Sequence, residues 1–184
     1  MSTAIPAARD LAPENVILGL LNQQPAHGYE LHRRLTDELG QVWHLPLNQV
    51  YNILNRLEER GLVSGAAEPG LGGPERRRFK LTEAGRTRFR IWLYSLTPCN
   101  IRAIRVELTT RLYFARDVSP DLAQRLLSEQ TALVQEFQAQ LCARLEALPP
   151  AATPGRMALA LRVRTLAVIV EWLGEYRALV LPPF

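Results

Sequence analysis

At 184 residues, with 47% hydrophobic and 22% charged side chains, the chain has the composition of a globular protein and length enough for one domain or two small ones. Met1–Asp10 lacks the basic start and apolar core of a signal peptide, and the apolar stretch Met157–Leu173 is too short and, with Arg162, Arg164 and Glu171, too charged to span a bilayer. The chain is therefore expected to be soluble and cytoplasmic, away from membranes, with Cys99 and Cys142 as free thiols rather than a redox pair. The net charge is only +4, but residues 76–90 carry seven basic side chains against the single acid Glu83. Such a run is the electrostatic footprint of a phosphate-binding surface, and equally of an ordinary solvated face.

In chain order, Pro13 suits the first turn of a helix whose apolar run is Val16-Ile17-Leu18 and Leu20-Leu21. A second helix is predicted from Gly28 to Leu39, burying Tyr29, Leu31 and Leu35, with Gly40 as its cap. A third follows Pro46, from Leu47 to Arg60, and stops at Gly61. The period then changes. Leu62-Val63 opens an extended segment, and Arg78-Phe79-Lys80-Leu81 alternates basic with apolar side chains. The Gly/Pro stretch between Glu68 and Glu75 makes these two strands a hairpin, or wing. Thr82 is a good N-cap for a fourth helix, with Glu83 in its first turn.

Pro98, in the short stretch Ser95–Asn100, marks a boundary, beyond which the pattern is wholly helical. Ile101, Ile104, Leu108 and Leu112 form one predicted stripe, and a helix from Pro120 carries Leu126, Leu133, Phe137, Leu141, Leu145 and Leu148. After a linker, Pro149–Gly155, the last helix is apolar on more than one face and is expected to be buried on two sides. A second subunit would supply the second side, with Leu161, Val168 and Trp172 as dimerisation residues. The fold class is thus mainly α with a small β-wing. Residues 1–97 are expected to form a winged helix-turn-helix DNA-binding domain, and residues 98–184 an α-helical dimerisation and effector domain.

The chemistry concentrates in the third helix. Val50, Ile53, Leu54 and Leu57 form its inner stripe and leave Asn48, Gln49, Asn52, Asn55 and Arg56 outside. Carboxamides pair bidentately with adenine and guanidinium with guanine, so this face suits a major groove, although most amide-rich faces merely meet water. The succession of helix, helix-turn-helix and basic wing within some 80 residues favours the first reading. Arg76, Arg77, Arg78 and Lys80 are then candidates for holding phosphates.

Four phrases in this order, Ile17-Leu-Gly-Leu-Leu21, His27-Gly-Tyr-Glu-Leu31, Val50-Tyr-Asn-Ile-Leu-Asn-Arg-Leu-Glu-Glu-Arg-Gly-Leu-Val63 and Arg77-Arg-Phe-Lys-Leu-Thr-Glu-Ala-Gly85, resemble the PadR family of bacterial regulators. The helices from Ile101 to about Leu181 look like the longer C-terminal region of members related to virulence activators. The resemblance implies a homodimeric winged-helix protein, usually a repressor, and two paired subunits predict an inverted-repeat operator in double-stranded DNA. It also implies release by a small aromatic or otherwise apolar effector, and puts Tyr51 in the family's aromatic position, for phosphate contact or for packing. Two departures stand out: Phe79 replaces the family's usual Tyr, and helix three opens with Pro46-Leu47-Asn48-Gln49 instead of small residues.

Trp43, Trp92, Tyr94 and Phe114 are the candidate lining of an effector pocket between the two halves, core packing being the commoner fate of such aromatics. His27, His32 and His44 lack a carboxylate or cysteine at ligand spacing, so no metal site and no cofactor are expected. Gly70–Gly73 has no Gly-Lys-Ser/Thr ending and is not a P-loop, and no nucleophile–base arrangement points to an enzyme. The alternatives are a winged helix that binds protein, and a DNA-binding regulator with no effector.

Overall fold

The computed structural model describes residues 12–68 and 76–180, with the side chains of Arg76 and residues 178–180 outside the description. The expectations that concern residues 1–11 and the wing tip at 69–75 fall outside it as well. Among the described residues, 12–95 belong to one compact unit and 96–180 to another.

In the first unit Pro13 takes the opening turn of α1 (Pro13–Gln23), where its missing N–H costs nothing. Every residue of α1 from Asn15 to Leu21 is buried, so this helix is the centre of the unit. Around it stand α2 (Gly28–Leu39), α3 (Leu47–Glu59) and α4 (Glu83–Leu93). Leu31, Leu35 and Leu39 face inward from α2 at intervals of four, one stripe of an α-helix. Tyr29 precedes that stripe by two residues, about 200° round the helix, and is 59% exposed instead of buried as expected.

The four inner residues of α3, Val50, Ile53, Leu54 and Leu57, are all at 0% exposure. Full burial of such side chains stabilises by about 1.5–3 kcal/mol each. Gly61 (φ 68°) ends α3 in the left-handed conformation. Its N–H bonds Glu58 O at 2.8 Å while Leu62 N–H bonds Leu57 O at 2.8 Å, the paired bonds of a Schellman cap. Gly40 stays right-handed (φ −63°), and the chain turns on with the N–H groups of Val42 and Trp43 both bonded to Leu39 O.

The sheet has three antiparallel strands rather than the two expected, in the order β1 (Ala26–His27), β3 (Arg76–Leu81), β2 (Val63–Glu68). Glu68 opposes Arg76, Val63 opposes Leu81, and Ala26 opposes Phe79. The extra strand arises because Pro25 favours an extended approach and His27 is the extended N-cap of α2, which lays two residues along β3. Thr82 caps α4 as expected, its hydroxyl accepting the Gly85 N–H at 3.1 Å.

The second unit is helical. A continuous run comprises α5 (Ile101–Ala103), a π-helical turn (Ile104–Leu108) and α6 (Thr109–Val118), and is followed by α7 (Pro120–Ala147) and α8 (Thr153–Val180). Ile104, Leu108 and Leu112 are buried but Ile101 is 56% exposed, because the wider π turn breaks the phase on which the expected stripe depends. Pro154 is accepted in the first turn of α8, so the linker before it is shorter than the sequence suggests. Arg156 donates to the carbonyls of Leu145 and Leu148, which places a cation on the C-terminal end of α7.

Buried polar groups pin the start of this unit. Thr97 donates its N–H to Gln130 Oε1 at 2.8 Å and accepts from Gln130 Nε2 at 2.9 Å, while Arg111 donates to the Thr97 hydroxyl at 2.6 Å and to Glu107 at 3.3 Å. Burial lowers Arg111 to about 10 against the opposing pull of Glu107, and raises Glu107. Among the described side chains of α8 those buried are Leu166, Ile169 and Leu173, a single stripe. Met157, Leu161 and Val168 are 68%, 68% and 61% exposed, so the second buried side expected of this helix is not supplied among the described residues.

Candidate nucleic-acid interface

The first unit presents an outward face of α3 beside the sheet. With the inner stripe of α3 in the core, Asn48, Gln49, Asn52 and Asn55 are all exposed. Arg56 is exposed too, but forms an ion pair with Glu14 of α1 at 3.2 Å, at the far end of the amide row. Tyr51 is 42% exposed, and its ring lies against Gly28 in the first turn of α2: a Cβ at Gly28 would stand 2.5 Å from Tyr51 Cε1. The missing side chain of Gly28 is what lets the phenol lie at the start of α2.

On β3 the alternation places Phe79 and Leu81 inward, at 2% and 5% exposure. Arg78 and Lys80 point outward. Arg78 donates to the carbonyl of Pro25 at 3.3 Å and lies 3.8 Å from Glu68, which also approaches His27 Nε2 at 3.4 Å. His27 Nδ1 donates to Arg77 O at 3.1 Å and joins the entry of α2 to the wing strand. Arg77 bonds Glu58 of α3 at 2.7 Å, and Arg86 and Arg90 both pair with Glu83. Of the seven basic residues in 76–90, Lys80 and Arg88 have no ion pair among the described residues, and the Arg76 side chain lies outside the description. Four of the seven thus pair with acids of the same chain, but three carboxylates, Glu58, Glu68 and Glu83, against seven cations leave a surplus of positive charge. These are exposed pairs, each contributing about 0–1 kcal/mol, and phosphate oxygens can exchange with such partners.

The four candidate effector residues are not gathered in one unit. Trp43 is half-buried, Trp92 packs on Phe89 with ring centroids 5.8 Å apart, and Tyr94 is 51% exposed, all in the first unit. Phe114 is buried in the second unit, edge-on to Tyr113 at 4.9 Å. Elsewhere in that unit a cleft of about 270 Å³ opens between Ile101, Ile104 and Arg105 on one side and Val168, Ile169 and Trp172 of α8 on the other. Trp172 is half-buried and stacks on Tyr176 at 5.4 Å. Among the described residues no three His, Cys, Asp or Glu side chains are grouped to hold a metal ion. Burial raises the Cys99 thiol, which disfavours the reactive thiolate.

Sequence reasoning missed Glu14, Glu58 and Glu68, the acids that hold the basic side chains, and Gly28, which makes room for Tyr51. The Glu58–Arg77 pair joins residues 19 apart, and Gly28 and Tyr51 sit on different helices, so no local pattern marks either.

Residues 17–91 match the model of the Transcriptional regulator PadR-like family. The negative transcriptional regulator PadR of Bacillus subtilis (strain 168) is 28% identical over 125 residues, which is 68% of this chain and 66% of that protein's length. Among solved structures, the crystal structure of Bacillus subtilis PadR in complex with operator DNA aligns with 91% of this chain and 98% of its own, at 22% identity and a TM-score of 0.46. That of smu.1604c from Streptococcus mutans UA159 aligns with 91% and 99%, at 21% identity and the same TM-score.

Proposed function

We propose that the chain, whose residues 17–91 match the PadR-like family of transcriptional regulators, is a regulator of that family that binds double-stranded DNA as a homodimer and represses transcription from an inverted-repeat operator. The observation that carries this reading is the row of exposed carboxamides on α3, Asn48, Gln49, Asn52 and Asn55, set beside a strand whose outward side chains are Arg78 and Lys80. In this reading α3 enters the major groove and its first turns meet base edges, while the wing strand holds the flanking phosphates. The family is one of transcription factors, and the chain is not an enzyme.

The exposed apolar residues of α8 support pairing of two copies through the second unit, with Leu161, Val168 and Trp172 in the contact. A twofold protein then meets two half-sites about one helical turn apart, which accounts for the inverted repeat. Residues 1–97 act as the DNA-binding part and 98–184 as the dimerisation and effector part. Release by a small aromatic or apolar effector is supported by the family resemblance rather than by geometry. No helix among the described residues is long and apolar enough to cross a membrane.

The test is a mobility-shift titration of the full chain on duplex fragments, including the DNA upstream of its own gene, at several salt concentrations. A regulator of this kind binds some fragments orders of magnitude more tightly than the rest and weakens steeply with salt. Uniformly weak binding without salt dependence would leave the winged helix as a protein-binding module.

A further inference from the structure

Arg77 lies on the inner face of the wing strand. Side chains of a strand alternate between faces, so Arg77 shares the side of the buried Phe79 and Leu81, opposite Arg78 and Lys80. Its guanidinium carbon lies 5.2 Å from the centre of the Phe79 ring, and its Nη2 donates to Glu58 Oε1 at 2.7 Å. The same carboxylate oxygen accepts the backbone N–H of Gly65 at 2.9 Å. Glu58 stands in the last turn of α3, Gly65 in β2 and Arg77 in β3, so one oxygen joins the helix with the amide face to both wing strands. The Gly65 N–H, and after it the Arg77 guanidinium, hold the Glu58 carboxyl below the usual carboxylate range. The Arg77 cation is therefore neutralised at short range by a partner that stays ionised.

Resting on the DNA-binding reading above, we propose that Glu58 and Arg77 are a positioning pair, which sets the angle of the wing to α3 and is not itself a phosphate contact. With α3 in a major groove, that angle decides whether Arg78 and Lys80 meet the backbone in register. The sign of one substitution separates this role from plain electrostatics. An acid near bound DNA repels phosphate, so neutralising it ordinarily tightens binding. A positioning acid does the opposite.

The experiment uses the full chain and two probes: a duplex selected from random fragments by the wild-type protein, and an unrelated duplex of equal length. Glu58→Gln, Arg77→Ala, Arg77→Gln and the double variant Glu58→Gln/Arg77→Ala are titrated by fluorescence anisotropy over a range of salt, with melting curves to confirm folding. Glu58→Gln and the Arg77 variants are each expected to weaken binding to the selected duplex roughly two- to fivefold, the scale of a partly exposed ion pair. The double variant should be no weaker than the weaker single one, and binding to the unrelated duplex should hardly change. The log–log salt slope should stay at the wild-type value, whereas loss of a phosphate contact makes it shallower by about one. Tighter or unchanged binding by Glu58→Gln, a slope reduced by about one in the Arg77 variants, or additive losses would overturn the pair. If the wild-type chain bound neither duplex in a salt-dependent way, the DNA-binding reading itself would fall.

Discussion

The ring of Tyr51 occupies the space that a side chain at Gly28 would need, with Cε1 only 2.5 Å from where a Cβ would stand. Gly28→Ala must therefore push the ring away. Tyr51 is 42% exposed and has room to swing outward, so the cost should fall on DNA affinity more than on folding. Overpacking of a site that cannot yield costs about 1–3 kcal/mol. Gly28→Ala and Tyr51→Ala are expected to weaken operator binding alike, with no further loss in the double variant, as anisotropy titrations would show. A Gly28→Ala protein with normal affinity, while Tyr51→Ala loses it, would separate the two residues.

Holding and reading should separate on the salt axis. Lys80→Ala and Arg78→Ala are each expected to weaken binding to all sequences alike and make the salt slope shallower by about one. Arg78 already contacts Pro25 O and Glu68, so the effect of Lys80 should be the cleaner one. Gln49→Ala or Asn52→Ala should cost roughly 1–3 kcal/mol on the operator and little on unrelated DNA. Equal losses on both kinds of DNA would make these amides positioning groups rather than readers.

Leu161 and Val168, at 68% and 61% exposure, are better probes of assembly than the half-buried, stacked Trp172. Within one chain Leu161→Glu or Val168→Glu should change stability by no more than about 0.5 kcal/mol. In a subunit contact the same unpaired charge should cost several kcal/mol and shift a dimer toward monomer. Light scattering measures the mass directly, and a variant that remained dimeric would take its residue out of the interface.

Acid should erase the contribution of Glu58. Its carboxyl is held below the ordinary value of 4.5, first by the Gly65 N–H and then by Arg77. A group lowered in the folded state adds stability above its unfolded pKa and loses it as the pH falls through the folded one. The urea midpoint of Glu58→Gln should thus lie below that of the wild type by a constant amount from about pH 7 to 5, and the gap should close below that range. A gap that widened on acidification would reverse the assignment.

What the sequence shows of this protein follows the range of its interactions. The limits of α3 and its inner stripe can be read directly, because Val50, Ile53, Leu54 and Leu57 repeat with the helical period and Gly61 supplies the one positive φ among the described residues. The amide face follows by subtraction. Ala26-His27 is too short to show a strand alternation, so the third strand is invisible until β3 is in place. The π turn at Ile104–Leu108 has no local marker, and it moves Ile101 off the stripe where a regular helix would put it. The basic run is plain in the sequence, but the pairing of Arg77 and Arg78 depends on Glu58 and Glu68 coming from other elements.

The bond pair between Thr97 and Gln130 has a consequence for which substitutions the chain can accept. Two of the three hydrogen bonds at Thr97 come from its backbone, which any residue except proline carries, and both end on one side-chain amide 33 positions away. The stringency therefore sits at position 130. Only a group that donates and accepts at the same reach completes the bridge: glutamate has no donor, leucine has neither, and asparagine falls one methylene short. Gln130 is 1% exposed, so a failed substitution would leave one or both backbone groups of Thr97 dry and unbonded. Position 97 can drift among small hydroxyl residues, while position 130 is confined to glutamine by a stretch of main chain whose own side chain reveals nothing of the demand.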